Sequence, residues 1–291
     1  MPDDGSAIRR PVSVPAPLLA GVRVLDLTNV LAGPFAGYQL ALLGADVVKV
    51  EHPTGGDLAR QLGADPRLSL AGLGVSFLAQ NSGKRSVTLD LKHEAGKAAF
   101  TALLRDADVL LENFRPGVLE RLGFGWPRLR EINPRLIYCA ISGFGQAGPL
   151  RERPAYDQII QGLSGMMSVV GTPEVTPLRV GFPICDILGG LAAAQAVAAA
   201  LVGRERTGLG CQLDVSMLDT ALTALGWVAS DHLIAGTTPV PMGNENATSA
   251  PSGTFDTADG KLNIAANKQQ QYDALCRLLD RPDLRQDPRF A

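Results

Sequence analysis

Short apolar runs alternate along the chain with segments whose apolar residues recur at helical spacing. The runs that favour β-strands are VRVLDL (22–27), ADVVKVE (45–51), SVTLDL (86–91), DVLLENF (108–114) and LIYCAISGF (136–144). The segments that predict helices between them include GPFAGYQLALLG (33–44) and HEAGKAAFTALLRDA (93–107). Apolar strands separated by helices favour an α/β fold, with a mostly parallel sheet and helices on both faces.

Parallel strands bring their carboxyl ends to one edge of the sheet, where ligands bind in such folds. The loops after the first, fourth and fifth predicted strands, near Asn29, Asn113 and Gly143, are therefore candidate site loops. The fifth loop, GFGQAG (143–148), matches the GxGxxG fingerprint of dinucleotide sites. Two prolines follow within six residues and oppose the helix that such a site needs, so we predict a glycine-rich turn beside a ligand.

The pattern changes from about residue 211. CQLDVSMLDTALTALGWVASDHLI predicts a strand that runs into one long helix, and residues 236–253 are rich in turn formers. Residues 261–267 and 269–280 predict a strand and a helix of a second, smaller α/β unit. We expect a disordered leader at 1–18, a large domain at 19–217, a linker helix and loop at 218–241 and the start of a small domain at 242–291. About fifty residues cannot easily bury a core, so the small domain is expected to be truncated or to need a partner.

Composition narrows the class of protein. The 291 residues include 27 basic and 29 acidic ones, with a net charge of −2 and no long run of one sign, which argues against a nucleic-acid surface or a polybasic membrane patch. The four cysteines and three histidines are scattered, so we expect no disulfide framework, no metal site and a cytoplasmic location. The apolar stretch 187–203 is shorter than a membrane span needs and predicts a helix packed inside the protein.

Asp186 is a lone acid at the head of that apolar stretch. Pro183 ends any preceding helix, so Asp186 falls where a helix N-cap would lie, and a capping aspartate is the simpler interpretation. The alternative is a carboxylate nucleophile, with Gly189 and Gly190 leaving room for a substrate to approach the backbone. The local sequence alone favours the cap.

The remaining motifs are individually weak. No GxSxG, P-loop or HExxH motif occurs, so serine hydrolase, NTPase and zinc protease functions lack support. Lys84 and Arg85 are equally compatible with phosphate binding and with a solvated turn. The Asn113 amide could cap a turn or hydrogen-bond a cofactor amide. Tyr156 begins a predicted helix, where an aromatic side chain usually packs.

Seven blocks from about Leu19 onward resemble the family III CoA-transferases (the CaiB/BaiF and formyl-CoA transferase type), and they occur in the family's order. The blocks are LDLTNVLAGPFAGYQLALLGADVVKVE, NSGKRSVTLDLK, LENFRPGVLERLGFGW, INPRLIYCAISGFGQAGP, AYDQIIQGLSG, the segment around Asp186, and RERTGLGCQLDVSMLD. The resemblance implies a Rossmann-like large domain plus a small domain, two interlocked chains, and transfer of coenzyme A between carboxylic acids.

The same resemblance implies roles for particular residues. Asp186 matches the nucleophilic aspartate, which overrides the capping interpretation. The residues that would contact coenzyme A are Val30, Leu31, Ala32, His52, Leu89, Asn113, Phe114, Arg121, Tyr156 and Met217. Two positions depart from the family pattern, because His52 stands where the best-known members carry arginine, and Ser82-Gly83 replaces bulkier residues.

The chemistry suits a carboxylate, which at a pKa of about 4 would be fully ionised at neutral pH. It can attack a thioester, expel the CoA thiolate and take up CoA in turn. We expect backbone N–H groups near Gly189 and Gly190 to stabilise the oxyanions. Arg179, seven residues before Asp186, would pair with the distal carboxylate of a small diacid accepting CoA from succinyl-CoA, or would be a surface residue.

Two other functions remain open at this point. An α-methylacyl-CoA racemase would share the fold and the acid, but it carries histidine where this chain has Tyr156. Tyrosine, with a pKa near 10, is a poor base at neutral pH, which favours the transferase. A truncated fragment that binds CoA without catalysis is the second alternative.

Overall fold

The chain forms two compact units in a computed structural model that describes residues 16–246 and 248–288. The first unit comprises the described residues up to Ile160 together with Pro183–Ala224, and the second comprises Gln161–Phe182 and the described residues from Leu225. The second unit thus includes 161–182, which the sequence assigned to the large domain, and it begins again inside the predicted linker. All but the last three residues of the predicted leader lie outside the described residues.

A six-stranded parallel sheet forms the centre of the first unit. Its strands are β1 (Arg23–Asp26), β2 (Asp46–Glu51), β3 (Arg85–Thr88), β4 (Val109–Glu112), β5 (Ile137–Ser142) and β6 (Gln212–Ser216). They lie in the order β3-β2-β1-β4-β5-β6, and all five pairings are parallel. The predicted α/β class and parallel sheet are confirmed, and the strand order is that of the Rossmann fold.

Eleven α-helices connect or flank the described strands. They are α1 (Ala32–Leu42), α2 (Pro66–Leu70), α3 (Val75–Asn81), α4 (Glu94–Arg105), α5 (Val118–Arg121), α6 (Trp126–Ile132), α7 (Asp157–Leu163), α8 (Ile184–Thr207), α9 (Met217–Ala224), α10 (Trp227–Ala235) and α11 (Gln269–Leu278). The two helices predicted from spacing correspond to α1 and α4.

Helices cover both faces of the sheet because alternate strand residues point to opposite sides. On one face, Phe100 of α4 and Leu129 of α6 belong with Leu25 and Leu110 to one hydrophobic cluster of buried residues. On the other face, α1 contacts β1 and β2, and α8 contacts β5 and β6. The sheet is therefore buried on both sides, which explains why its strands are apolar throughout.

Helix α8 packs closely on α1 because glycine occupies the contact. A Cβ added at Gly190 would lie 2.5 Å from the carbonyl oxygen of Ala32 and 3.0 Å from Cδ1 of Phe35. Among the described residues, α8 is the one helix that is long and apolar enough to cross a membrane. Here it packs against α1, β5, β6 and α9 within the unit, as the sequence predicted.

The second unit contains α10, α11 and an antiparallel hairpin of β7 (Ser252–Asp256) and β8 (Lys261–Ala265). The predicted strand at 261–267 and helix at 269–280 are confirmed as β8 and α11. The single long helix expected after β6 is wrong, because the chain breaks it into α9 and α10. Gly226, the N-cap of α10, lies at the break with φ +52° and ψ −118°, a non-helical conformation that glycine adopts readily.

We predict that Gly190→Ala lowers the free energy of unfolding by about 1–3 kcal/mol, because the new methyl group overlaps α1. Gly203→Ala on the same helix is the matched control, since a Cβ there meets nothing within 4 Å. That control should raise the free energy by about 0.5–1 kcal/mol through helix propensity. Urea unfolding of both variants measures the difference, and equal effects would contradict the packing.

Candidate active site

Most of the residues to which the family resemblance assigns a role lie at the carboxyl edge of the sheet. Those that follow a strand or begin the next helix are Val30, Leu31 and Ala32 after β1, His52 after β2, Leu89 after β3, Asn113 and Phe114 after β4, and Met217 after β6. Tyr156 immediately precedes α7, and Arg121 ends α5. Arg179 belongs to the second unit, where its side chain is exposed.

The strand order places a topological switch point between β1 and β4, where a crevice forms in folds of this kind. The loops after these two strands are joined there. Asn29 N–H donates to Asn113 Oδ1 at 2.8 Å, and Asn113 Nδ2 donates to the Asn29 carbonyl at 2.8 Å. The Asn113 amide thus bridges two loops, and its contact with CoA stays a prediction.

Two buried ion pairs lie at this end of β1 and β2. Lys84 Nζ is 2.7 Å from Asp26 Oδ2, and Lys49 Nζ is 2.9 Å from Asp57 Oδ2, with all four side chains at most 1% exposed. Lys49 also donates to the carbonyl of Thr28 at 2.7 Å. Both interpretations of Lys84 from the sequence, phosphate binding and a solvated turn, are therefore wrong. A lysine beside a turn gives no local signal that its ammonium is buried.

Asp186 is the third residue of α8 and not its N-cap, which is Pro183. The predicted capping position is wrong because another aspartate supplies the cap. Asp157 Oδ1, at the start of α7, accepts hydrogen bonds from the N–H groups of Cys185 at 2.7 Å and Asp186 at 3.3 Å. The two carboxylates are thereby held at the same helix end.

This arrangement perturbs the carboxyl group of Asp186. Burial and, second, the negative charge of Asp157 raise its pKa to about 7. A helix N-terminus favours an anion, but Asp157 already occupies N–H groups of this first turn. The expectation of full ionisation at neutral pH is thus corrected to partial ionisation. Burial raises the pKa of the neighbouring Cys185 thiol to about 12, which keeps that group protonated and unreactive.

Gly189 and Gly190 lie inside α8, where N–H groups bond to carbonyls one turn earlier. Packing explains both glycines, since a Cβ at Gly189 would lie 3.1 Å from Met217 Cγ and Gly190 contacts α1. We therefore withdraw the assignment of oxyanion stabilisation to their N–H groups. Because Gly190 follows Asp186 by one turn on the same face, Asp186 lies on the side of α8 that faces the start of α1.

Three other predicted CoA contacts differ in accessibility. The Tyr156 side chain is 73% exposed. His52 is exposed after β2, and its Nδ1 accepts a hydrogen bond from the Thr54 N–H at 3.1 Å. Arg121 lines a cavity of about 480 Å³ together with Glu112 and Trp126. Contact of these three residues with CoA stays a prediction.

Sequence reasoning missed Asp157, Asp57 and Glu112 as site residues. Glu112 is buried at the end of β4, where it accepts hydrogen bonds from Tyr138 OH at 2.8 Å and from Phe114 N–H at 2.6 Å. Burial raises the pKa of Glu112 to about 7. An acid that ends the apolar strand VLLE was the available signal for it. No group of three or more His, Cys, Asp or Glu side chains that could hold a metal occurs in 16–246 and 248–288.

The raised pKa predicts a stability cost that depends on pH. Asp186 binds its proton more tightly in the folded chain, so unfolding becomes easier as pH rises from about 4 to about 7. Asp186→Asn should therefore stabilise the protein by on the order of 2–4 kcal/mol at pH 8.5 and by almost nothing at pH 4.

Denaturant unfolding at the two pH values measures this effect. Asp219→Asn, the same substitution at an exposed position of α9, is the matched control. If Asp186→Asn gives the same change at both pH values, the electrostatic account of the site is wrong.

The chain is similar in sequence and fold to known proteins. A succinate–glutarate CoA-transferase from Agrobacterium fabrum is 41% identical over 278 residues, which cover 94% of this chain and 70% of that protein. An acetyl-CoA:oxalate CoA-transferase from Acetobacter aceti is 44% identical over 271 residues, covering 93% and 69%. A crystal structure of a CaiB/BaiF family protein from Brucella suis superposes with a TM-score of 0.82 at 39% identity, covering 94% of this chain and 72% of that one.

These relatives and the fold identify an enzyme that acts on CoA thioesters. The sequence matches the family over residues 19–291. The chain belongs to CoA-transferase family III.

Proposed function

We propose that this protein moves coenzyme A from an acyl-CoA to a small carboxylic acid through covalent adducts of Asp186. One observation carries the proposal: the Asp186 carboxyl group is half-buried in the first turn of α8, beside Asp157 and on the side that faces the start of α1. The partners in this proposal are an acyl-CoA, a carboxylate and, as the family resemblance implies, a second copy of the chain.

The reaction begins when an Asp186 carboxylate oxygen attacks the thioester carbonyl. The C–S bond breaks, the CoA thiolate leaves and a mixed anhydride forms. The thiolate then attacks the Asp186 carbonyl of the anhydride, which frees the donor acid and leaves an aspartyl-CoA thioester. The acceptor acid repeats both steps in reverse, so the thioester bond is conserved and the aspartate is regenerated.

Partial burial favours this chemistry in two ways. A carboxylate with a pKa of about 7 is more basic, and therefore a better nucleophile, than an exposed aspartate. A site shielded from water also protects the anhydride from hydrolysis. The disadvantage is that Asp186 is protonated in a fraction of the enzyme molecules at neutral pH.

We further propose that CoA lies along the carboxyl edge of the sheet. Six strands about 4.8 Å apart span roughly 24 Å, which suits an extended ligand. In this proposal Val30, Leu31 and Ala32 cradle CoA, and the remaining contacts come from His52, Leu89, Asn113, Phe114, Arg121, Tyr156 and Met217. The positions of eight of these ten residues support the proposal, because they follow β1, β2, β3, β4 or β6 at one edge of the sheet, where one extended ligand could meet them.

The proposed substrates are succinyl-CoA as donor and a small diacid as acceptor. The names of the two relatives, a succinate–glutarate and an acetyl-CoA:oxalate transferase, both include diacids. Arg179 is our candidate for pairing with the distal carboxylate, because a guanidinium binds a carboxylate through two parallel hydrogen bonds.

Replacing the nucleophile tests the proposal directly. Asp186→Ala should lower kcat for CoA transfer by at least about a thousandfold, since no other group provides the covalent step. Asp219→Asn should keep the parental rate. CoA transfer by Asp186→Ala at the parental rate would contradict the mechanism. If the parental protein exchanged the α-proton of an acyl-CoA in heavy water without transferring CoA, it would be a racemase.

The pH profile tests the role of Asp157. If the ionised carboxylate attacks, kcat/KM should fall as pH drops through about 7. Asp157→Asn retains an acceptor for the N–H groups of Cys185 and Asp186 but removes the like charge. It should therefore move the acidic limb to lower pH, whereas an unmoved limb would show that Asp157 does not tune the nucleophile.

Substituting the arginine tests the substrate class. Arg179→Ala should raise KM for diacid acceptors about tenfold and leave monoacids unchanged, because only diacids have a second carboxylate to pair. Arg277→Ala, an exposed arginine of the same unit, is the control. A retained preference for diacids in Arg179→Ala would remove Arg179 from the proposal.

A further inference from the structure

Val30 adopts a backbone conformation that its side chain disfavours. Its φ is +68°, and Asp280 is the only other non-glycine residue with positive φ among residues 16–246 and 248–288. A β-branched residue in the left-handed region is a true outlier, and such strain persists only where surrounding structure enforces it. Val30 lies between β1 and α1, in the loop to which our proposed function assigns contact with CoA.

The buried carboxylate of Asp57 fixes this conformation. Asp57 Oδ1 accepts a hydrogen bond from the Val30 N–H at 2.9 Å, across 27 residues of sequence. Its other oxygen pairs with Lys49 Nζ at 2.9 Å. The Asp57 N–H in turn donates to Glu51 Oε2 at 2.9 Å, so the residue is held by its backbone as well.

Three successive residues of the β1–α1 loop form hydrogen bonds with three different segments of the fold. The Thr28 carbonyl accepts from Lys49, the Asn29 backbone exchanges two hydrogen bonds with Asn113, and the Val30 N–H donates to Asp57. These partners come from β2, from the end of β4 and from the segment after β2. The loop conformation is therefore imposed by the sheet and does not depend on α1 alone.

A simpler role for Asp57 explains only part of this. Its Oδ1 also accepts from the Ala59 N–H at 2.9 Å and so caps the short 3₁₀-helix Leu58–Gln61. Asp65 caps α2 in the same manner from a more exposed position and reaches no distant loop. A capping role alone requires neither the full burial of Asp57 beside a lysine nor its hydrogen bond to Val30. Burial of the Asp57–Lys49 ion pair also carries a desolvation penalty, which a cap would not need.

We propose that Asp57 is a positioning residue for acyl-CoA binding: it holds Val30 in its left-handed conformation and so presets the backbone of Val30, Leu31 and Ala32 for the thioester substrate. This inference rests on the proposed function, which places CoA at that loop. Asp57 itself touches no substrate in this account.

A double-mutant cycle tests the proposal, with KM for acyl-CoA, kcat and the Kd for free CoA by calorimetry as readouts. Asp57→Ala removes the oxygen that accepts from the Val30 N–H, which asparagine would retain. It should raise both KM and Kd about tenfold and change kcat little, because the loop must then be ordered on binding. The same substitution should raise them less than threefold in a Val30→Gly background, since glycine adopts positive φ without strain. Asp65→Ala, which removes the other capping carboxylate, should leave every readout at the parental value.

Unchanged KM and Kd in Asp57→Ala, or an equal effect in both backgrounds, would overturn the proposal. If Asp57→Ala does not fold, Val30→Pro decides instead, because it removes the N–H and forbids positive φ while leaving Asp57, Lys49 and the 3₁₀ cap intact. The proposal requires that Val30→Pro raise the Kd for CoA by about tenfold or more. Since Kd needs no chemistry, these results remain separable from failure of the Asp186 mechanism.

Discussion

The hydrogen bonds between the first turn of α8 and the Asp157 carboxylate are the interaction on which the site depends. They occupy N–H groups that would otherwise stabilise an anion at Asp186, and they fix a second negative charge beside it. With burial, this raises the pKa of Asp186 to about 7. The protein thus stores unfavourable electrostatic energy at the residue that we propose as the nucleophile, and in this proposal lower stability accompanies higher nucleophilicity.

The Rossmann strand order determines which loop lies near the start of α8. The switch point between β1 and β4 brings the β1–α1 loop to the sheet edge, and glycine at position 190 lets α8 lie close to the start of α1. Buried ion pairs from Lys49 and Lys84 then fix the loop backbone. The candidate nucleophile and the loop proposed for CoA are therefore positioned by the same unit.

Local patterns predicted most of the first unit but not its polar network. Apolar runs located the strands because a sheet covered on both faces excludes polar residues. The prediction of one continuous helix after β6 was wrong only at Gly226, where the backbone takes a positive φ. The Asp157 cap joins residues 28 apart, so no local pattern contains it. The burial of Lys49 and Lys84 was not predicted, because a lysine is normally exposed and only the fold shows its buried partner.

Chemical trapping of the covalent adduct tests the central claim most directly. The protein would be incubated with succinyl-CoA, treated with hydroxylamine or borohydride, digested and mapped by mass spectrometry. The account predicts a hydroxamate or a reduced side chain at Asp186 alone, formed only when succinyl-CoA is present. Turnover with an unmodified Asp186, or with the adduct on another carboxylate, would contradict it.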